Sequence, residues 1–186
     1  MQFTIFGDNS REGSYLLVID VTEPLSIVFG RFLKGAPVAV PAGTLVYVGS
    51  ALGRAGGAFP LASRLVRHAA RSGSKPDHRV RRELLDHFSR RGYAPREPAP
   101  VKKLHWHIDY LLDHEETAIT GIVMIQGPER IEHRLAGLIG SMPGSSTVAD
   151  RLGAQDSPAG THLFAIPDPC AMKGLLQASL PFPVTA

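Results

Sequence analysis

The chain is poor in cysteine and tryptophan and has no long apolar run. Of its 186 residues one is cysteine, Cys170, and one is tryptophan, Trp106. A lone thiol cannot close an intramolecular disulfide. No stretch approaches the roughly 18 consecutive apolar residues of a membrane span, so a soluble protein without a membrane partner is expected. No charged n-region followed by an apolar h-region opens the chain, which together with the single thiol predicts a reducing, cytoplasmic setting. Internal repeats are absent. Residues 49–57 hold four glycines but lack the Gly-Lys-Ser/Thr ending of a phosphate-binding P-loop, so nucleotide binding is not expected.

What is present suits one globular domain. With 44% hydrophobic residues, a chain of this length can bury a sizeable core, and a second full domain is not expected. Residues 1–166 read as that domain and residues 167–186 as a C-terminal tail or docking helix. The net charge is only +3, yet residues 54–103 hold 13 Lys and Arg against 4 Asp and Glu, a local excess of nine positive charges. A basic segment on an acidic body is the footprint of a polyanion partner, although arginine-rich helices with a merely solvated face leave the same mark. Arg54, Arg67, Arg71, Lys75, Arg79 and Arg82 are the candidate nucleic-acid contacts, and His68, His78 and His87 would add charge at mildly acid pH.

Residues 13–21 (GSYLLVIDV) and 25–29 (LSIVF) are β-rich and separated by Thr22-Glu23-Pro24, a spacing that predicts a β-hairpin. A third strand is expected over 44–48. Phe59-Pro60 opens a helix to about Arg71, with Leu61, Leu65 and Ala69 on its apolar stripe and Arg64, Arg67, His68 and Arg71 on a contiguous charged face. A second helix is expected over 78–90. Residues 104–112 fit either period, a helix being favoured; 117–126 reads as a strand, and Gly127-Pro128-Glu129 starts a helix. Residues 141–160 are expected as a long irregular loop, with a returning strand over 161–166. A short helical pattern over 171–180 follows.

Two signatures carry chemistry. Tyr47-Val48-Gly49-Ser50 closes a strand, and Leu61-x-x-Arg64-Leu65-x-x-His68 lies on the next helix, so a tyrosine, an arginine and a histidine meet beside a glycine-rich turn. That set suits a phosphate: the arginine fork matches phosphate oxygens and stays charged. Taken singly, each residue has a packing explanation. Strand tyrosines are usually half-buried, and an acid such as Glu132 in a first turn complements a helix dipole. His105 and His107 lack a third ligand at metal spacing. Trp106 and Tyr110, one helical turn apart, read as core, with base stacking as the alternative, and Asp109 as a residue orienting a basic neighbour.

With its elements in this order the chain resembles the GIY-YIG endonuclease superfamily, most closely a little-characterised branch found alone in bacteria and archaea and sometimes fused to endonuclease III. Gly13-Ser14-Tyr15 stands where the superfamily has Gly-Ile-Tyr, and Tyr47-Val48-Gly49-Ser50 where it has Tyr-Ile-Gly-Ser. Arg64 and His68 match its helix motif, and Glu132-x-x-Leu135-Ala136 the helix whose glutamate binds the metal. Trp106-His107-Ile108-Asp109-Tyr110-Leu111 and His162-Leu163-Phe164 match the branch. The 31 residues between the two tripeptides exceed the usual spacing. The branch's Asp-Cys-x-Cys-x-Ser-His-Leu-Phe stretch reads Asp156-Ser157-Pro158-Ala159-Gly160-Thr161-His162-Leu163-Phe164 here, without its cysteines.

The resemblance implies an α+β fold with a small, mainly antiparallel central sheet flanked by helices. It also implies an endonuclease that hydrolyses DNA phosphodiester bonds with Mg²⁺ or Mn²⁺, acting in DNA repair on branched, flapped or single-stranded DNA. Tyr15, Tyr47, Arg64 and His68 would be the catalytic residues and Glu132 the metal ligand, one carboxylate being enough for Mg²⁺. A tyrosine of ordinary pKa near 10 is only about 0.1% ionised at neutral pH. Arg64 and the cation would have to lower it for Tyr15 to act as base; otherwise Tyr15 orients the attacking water. The alternatives are a nucleic-acid-binding module of the same fold without turnover, and an interaction domain for a repair protein that docks through residues 170–186.

Overall fold

The computed structural model describes residues 2–53, 59–94, 102–153, 160–180 and 184–185. Near-continuous apolar runs dictate its centre. Strand β2 (Gly13–Val21) is buried on both faces, strand β6 (Thr117–Gln126) likewise from Ile122 onward, and the two lie side by side in a seven-stranded sheet. The others are β1 (Gln2–Gly7), β5 (Gly43–Ala51), β7 (Ser146–Thr147), β8 (Leu163–Ala165) and β9 (Val184–Thr185), in the order β7-β8-β5-β2-β6-β1-β9. Among the described residues only β1 and β6 run parallel. The fold is α+β, a mostly antiparallel central sheet flanked by helices.

Strand alternation sorts the side chains to two cores. Tyr15, Leu17 and Ile19 of β2, with Leu45 and Tyr47 of β5, face α1 (Pro60–His68), α2 (Val80–Ser89) and α3 (His107–Leu112). Leu16, Val46 and Val48 face α4 (Glu132–Gly140) and α5 (Pro169–Ser179). The amphipathic stripe of α1 is met in full, with Leu61, Ala62, Leu65 and Val66 buried. Truncating Leu65 to alanine would cost about 2 to 5 kcal/mol.

The hairpin expected between residues 13–21 and 25–29 does not form. Strand β3 (Leu25–Ile27) pairs instead with β4 (Val38–Val40) in a separate two-stranded sheet, because both long edges of β2 are already taken by β5 and β6. Between β3 and β4 the chain passes a tight turn at Phe32–Gly35, where Leu33 and Lys34 hold left-handed backbone at φ of 46° and 58°. The first helix stops at His68 rather than near Arg71, and the helix after Gly127 begins at Glu132. Strand β1, over the strand formers Phe3-Thr4-Ile5-Phe6, is an addition to the expected elements.

Residues 167–180 pack on the body. Asp168 caps α5 by accepting from the N–H groups of Cys170 and Ala171, and Met172 and Leu176 are buried in the second core. Among the described residues no helix is long and apolar enough to cross a membrane.

Candidate active site

Register brings the two tyrosines together. Tyr15 pairs with Gly49 and Leu17 with Tyr47 across β2 and β5, so Tyr15 and Tyr47 are diagonal neighbours on one face, their ring centroids 6.3 Å apart. Gly49 is what permits the arrangement: a Cβ there would lie 2.6 Å from the Tyr15 ring and hydroxyl. Helix α1 packs over this face and lays His68 against both rings. The Tyr15 hydroxyl lies 2.9 Å from His68 Nε2.

Behind His68 stands Asp109, fully buried in the first turn of α3. Its Oδ1 lies 3.2 Å from His68 Nδ1 and 3.7 Å from the Lys102 ammonium. Its Oδ2 accepts from Arg67 at 2.8 Å and from the backbone N–H groups of His105 and Trp106. Burial alone would raise the Asp109 pKa, but the His68 bond, the backbone donors and Lys102 prevail and hold it well below the usual carboxylate range. An ionised carboxylate only accepts, so His68 carries its hydrogen on Nδ1 and offers the Nε2 lone pair to the Tyr15 hydroxyl. Burial lowers the His68 pKa, against the opposing pull of Asp109. The imidazole is therefore neutral at neutral pH.

Both phenols depart from the expectation that Arg64 would draw them down. Burial pushes Tyr15 well above the ordinary value, with Tyr47 adding to the rise and Arg64 only partly opposing it. Tyr47 is likewise raised, by burial against Arg64. Neither is a phenolate at neutral pH. Tyr15 and His68 have no exposed surface and Tyr47 keeps 7%. A cavity of about 680 Å³ reaches Tyr47, with Trp106 and Tyr110 also in its wall. A second cavity of about 500 Å³ near Arg11 and Phe59 touches none of these side chains.

Arg64 lies half-buried with its guanidinium carbon 3.8 Å from the Trp106 ring centroid, and Arg67 at 4.9 Å from the same ring. The indole fixes the charge beside the phenols, a cation–π contact worth about 0.5 to 2 kcal/mol. Glu132 opens α4 on the opposite face of the sheet, its side chain 11% exposed and 3.3 Å from Arg130. It is an electrostatic neighbour of Tyr47 and of His162, raising the pKa of each, although burial leaves that of His162 lowered overall. The buried Nε2 of His162 has no hydrogen-bond partner among the described residues. Glu132 offers one hard oxygen donor, and a single carboxylate suffices for a Mg²⁺ that keeps waters in its other positions. Among the described residues no group of three or more His, Cys, Asp or Glu side chains gathers as a metal cluster.

The basic segment divides. Arg79 and Arg82 are exposed on and beside α2. Arg71 is committed to the carbonyls of Leu112, Pro76 and Thr117, and Lys75 is paired with Asp113 at 2.6 Å. Arg67 serves Asp109 first. Arg54 lies outside the described residues. The expected contiguous charged face on α1 is broken, because His68 turns into the core. Burial lowers the pKa values of His68, His78 and His87, that of His78 to about 4, so these residues charge less readily in mild acid than the sequence led one to expect.

Sequence reasoning undervalued Asp109 and Trp106. Their partners on α1 lie about forty residues away along the chain, and the only available signal was their place in the Trp106-to-Leu111 stretch. The chain belongs to the family described as Domain of unknown function DUF123, which matches residues 14–181. No curated protein and no solved structure matches it.

Proposed function

We propose that this DUF123 chain is a divalent-cation-dependent endonuclease-like domain that hydrolyses DNA phosphodiester bonds, in keeping with its resemblance to the GIY-YIG nucleases. The observation that carries the reading is the buried chain Tyr15–His68–Asp109 set beside Arg64, which is an electrostatic neighbour of both phenols. Arg64, held on Trp106, presents two donors to the phosphate and keeps its charge as the transition state gains negative charge. As water attacks phosphorus and the bond to the leaving oxygen breaks, the water's proton passes to the Tyr15 oxygen while the Tyr15 proton moves to His68 Nε2, and the leaving oxygen takes a proton from solvent in the cavity. Asp109 stabilises the imidazolium so formed. The relay avoids a free phenolate, which the raised Tyr15 pKa makes costly. Tyr47 lies at the cavity wall, where it contacts the phosphate. Glu132, although it starts a helix on the other face, is an electrostatic neighbour of Tyr47, and it would hold Mg²⁺ or Mn²⁺, which would supply charge neutralisation on a phosphate oxygen.

A second reading, a DNA-binding module of the same fold without turnover, is favoured by the complete burial of Tyr15 and His68. One experiment separates the two. Labelled branched, flapped and single-stranded DNA is incubated with Mg²⁺ or Mn²⁺ and wild type, Glu132→Ala or Arg64→Ala. Cleavage by wild type alone supports the nuclease reading. Equal cleavage by all three ends the site assignment, and salt-sensitive binding without product supports the module.

A further inference from the structure

The 680 Å³ cavity is walled by Phe29, Arg31, Tyr47, Trp106, His107 and Tyr110, and it is the approach to the site. Tyr15 and His68 are sealed, whereas Tyr47 lies in the cavity wall. A phosphodiester that reaches Tyr47 and Arg64 therefore brings its flanking nucleoside into this space.

The walls suit a base. Cavities of 300 to 1,000 Å³ lined by aromatic groups with a few polar ones are the usual size for small organic ligands, and a nucleobase is far smaller. Trp106 is half-buried, with Arg64 over one part of it and His68 edge-on at 5.7 Å. Phe29 and Phe32 meet the His107 ring at 6.5 and 5.2 Å, and Gly153 N–H donates to His107 Nδ1, which fixes that imidazole in the wall. Gly30, at φ of 60°, lies so close over Tyr110 that a Cβ would come within 2.8 Å of the phenol oxygen. Exposed Arg31 supplies charge in the same wall. Next in the chain is the turn at Phe32–Gly35, whose Leu33 is 57% exposed on left-handed backbone. Apolar side chains such as leucine are among those that nucleic-acid-binding proteins insert between base steps.

We propose that this cavity receives the base of one unpaired nucleotide next to the scissile phosphate, with Leu33 wedged against the neighbouring base. The proposal rests on the nuclease reading and sharpens its substrate class. A fully paired duplex keeps its bases stacked inside, so single strands, flaps and extrahelical nucleotides are selected. Recognition is by stacking, which every base offers, so sequence preference is slight.

The test is fluorescence anisotropy in EDTA, so that no strand is cut, with three labelled duplexes: one carrying a single unpaired adenosine, the same duplex with an abasic residue there, and a fully paired one. Wild type is expected to bind the unpaired adenosine roughly five-fold or more tightly than the abasic duplex. Leu33→Asn and Arg31→Ala are expected to narrow that ratio. Both positions are exposed, and asparagine tolerates left-handed backbone, so the fold is kept. Equal affinity for the base-bearing and abasic duplexes, with a steep salt dependence, overturns the cavity proposal and leaves DNA binding standing. Preference for the base with no cleavage once Mg²⁺ is restored upholds the cavity and removes the catalytic reading. Absence of binding to all three at low salt ends both.

Discussion

Tyr15 donates its phenolic hydrogen to His68 Nε2 across 2.9 Å, a bond between residues 53 apart in sequence and fully buried. It orders a strand residue and a helix residue into one proton path, because Asp109 fixes which nitrogen of His68 is free to accept.

Tyr15→Phe removes the hydroxyl and leaves a buried lone pair on His68. The expected cost is about 1 to 3 kcal/mol of stability with the fold retained. Cleavage is expected to fall roughly 100-fold or more, as for loss of a general acid–base group. Melting curves beside a cleavage assay check this; full activity with an intact fold would remove Tyr15 from the reaction.

Asp109→Asn takes away the charge that answers Arg67, Lys102 and the imidazole. A loss on the order of 3 kcal/mol is expected for breaking a buried network. Nitrogen NMR should show His68 losing its Nδ1–H form, since an asparagine amide can donate where the carboxylate could not. Because the folded-state pKa of Asp109 is depressed, wild type holds that stabilisation above about pH 4 and loses it as pH falls further. The variant should lack this acid limb.

His78 makes its own pH window. Its Nε2–H donates to the Leu112 carbonyl at 2.9 Å and its Nδ1 accepts from Ile119 N–H at 3.3 Å, so protonation breaks a backbone bond. Burial and Arg71 lower its pKa to about 4. Between that value and the ordinary value near 6.5 the unfolded chain binds a proton that the folded one refuses. Stability should therefore fall by up to about 3 kcal/mol as pH drops from 7 to 4. Denaturant titrations across this range test it, and His78→Gln should flatten the slope.

Arg79 and Arg82 are exposed, whereas Arg71 is spent on carbonyls. Changing Arg79 or Arg82 to alanine should each reduce the salt slope of single-strand binding by about 0.7, without altering the melting temperature. Anisotropy at several salt concentrations checks both expectations.

Strands β2 and β6 were legible to the residue, since apolar runs bounded by turn residues state their own ends. The β2–β3 hairpin was misread because Thr22-Glu23-Pro24 announces a turn but not a partner. Pairing went instead to the strands that bury the long run on both edges. Tyr15, Tyr47, Arg64 and His68 were legible as a set through their motifs, and they do come together. The inward turn of His68 was not legible, since its helical position beside Arg67 reads as charged surface until a buried carboxylate is there to receive it.

By itself the sequence determined periodicity: which residues form strands and helices, which stripe of α1 is apolar, and where glycine must stand. Only the tertiary structure decided that Asp109 lies behind His68, that Trp106 carries Arg64, and that burial raises both phenols. Contacts and desolvation join residues some forty or more apart along the chain, and a pKa is set by what surrounds a group in space, which local spacing does not encode.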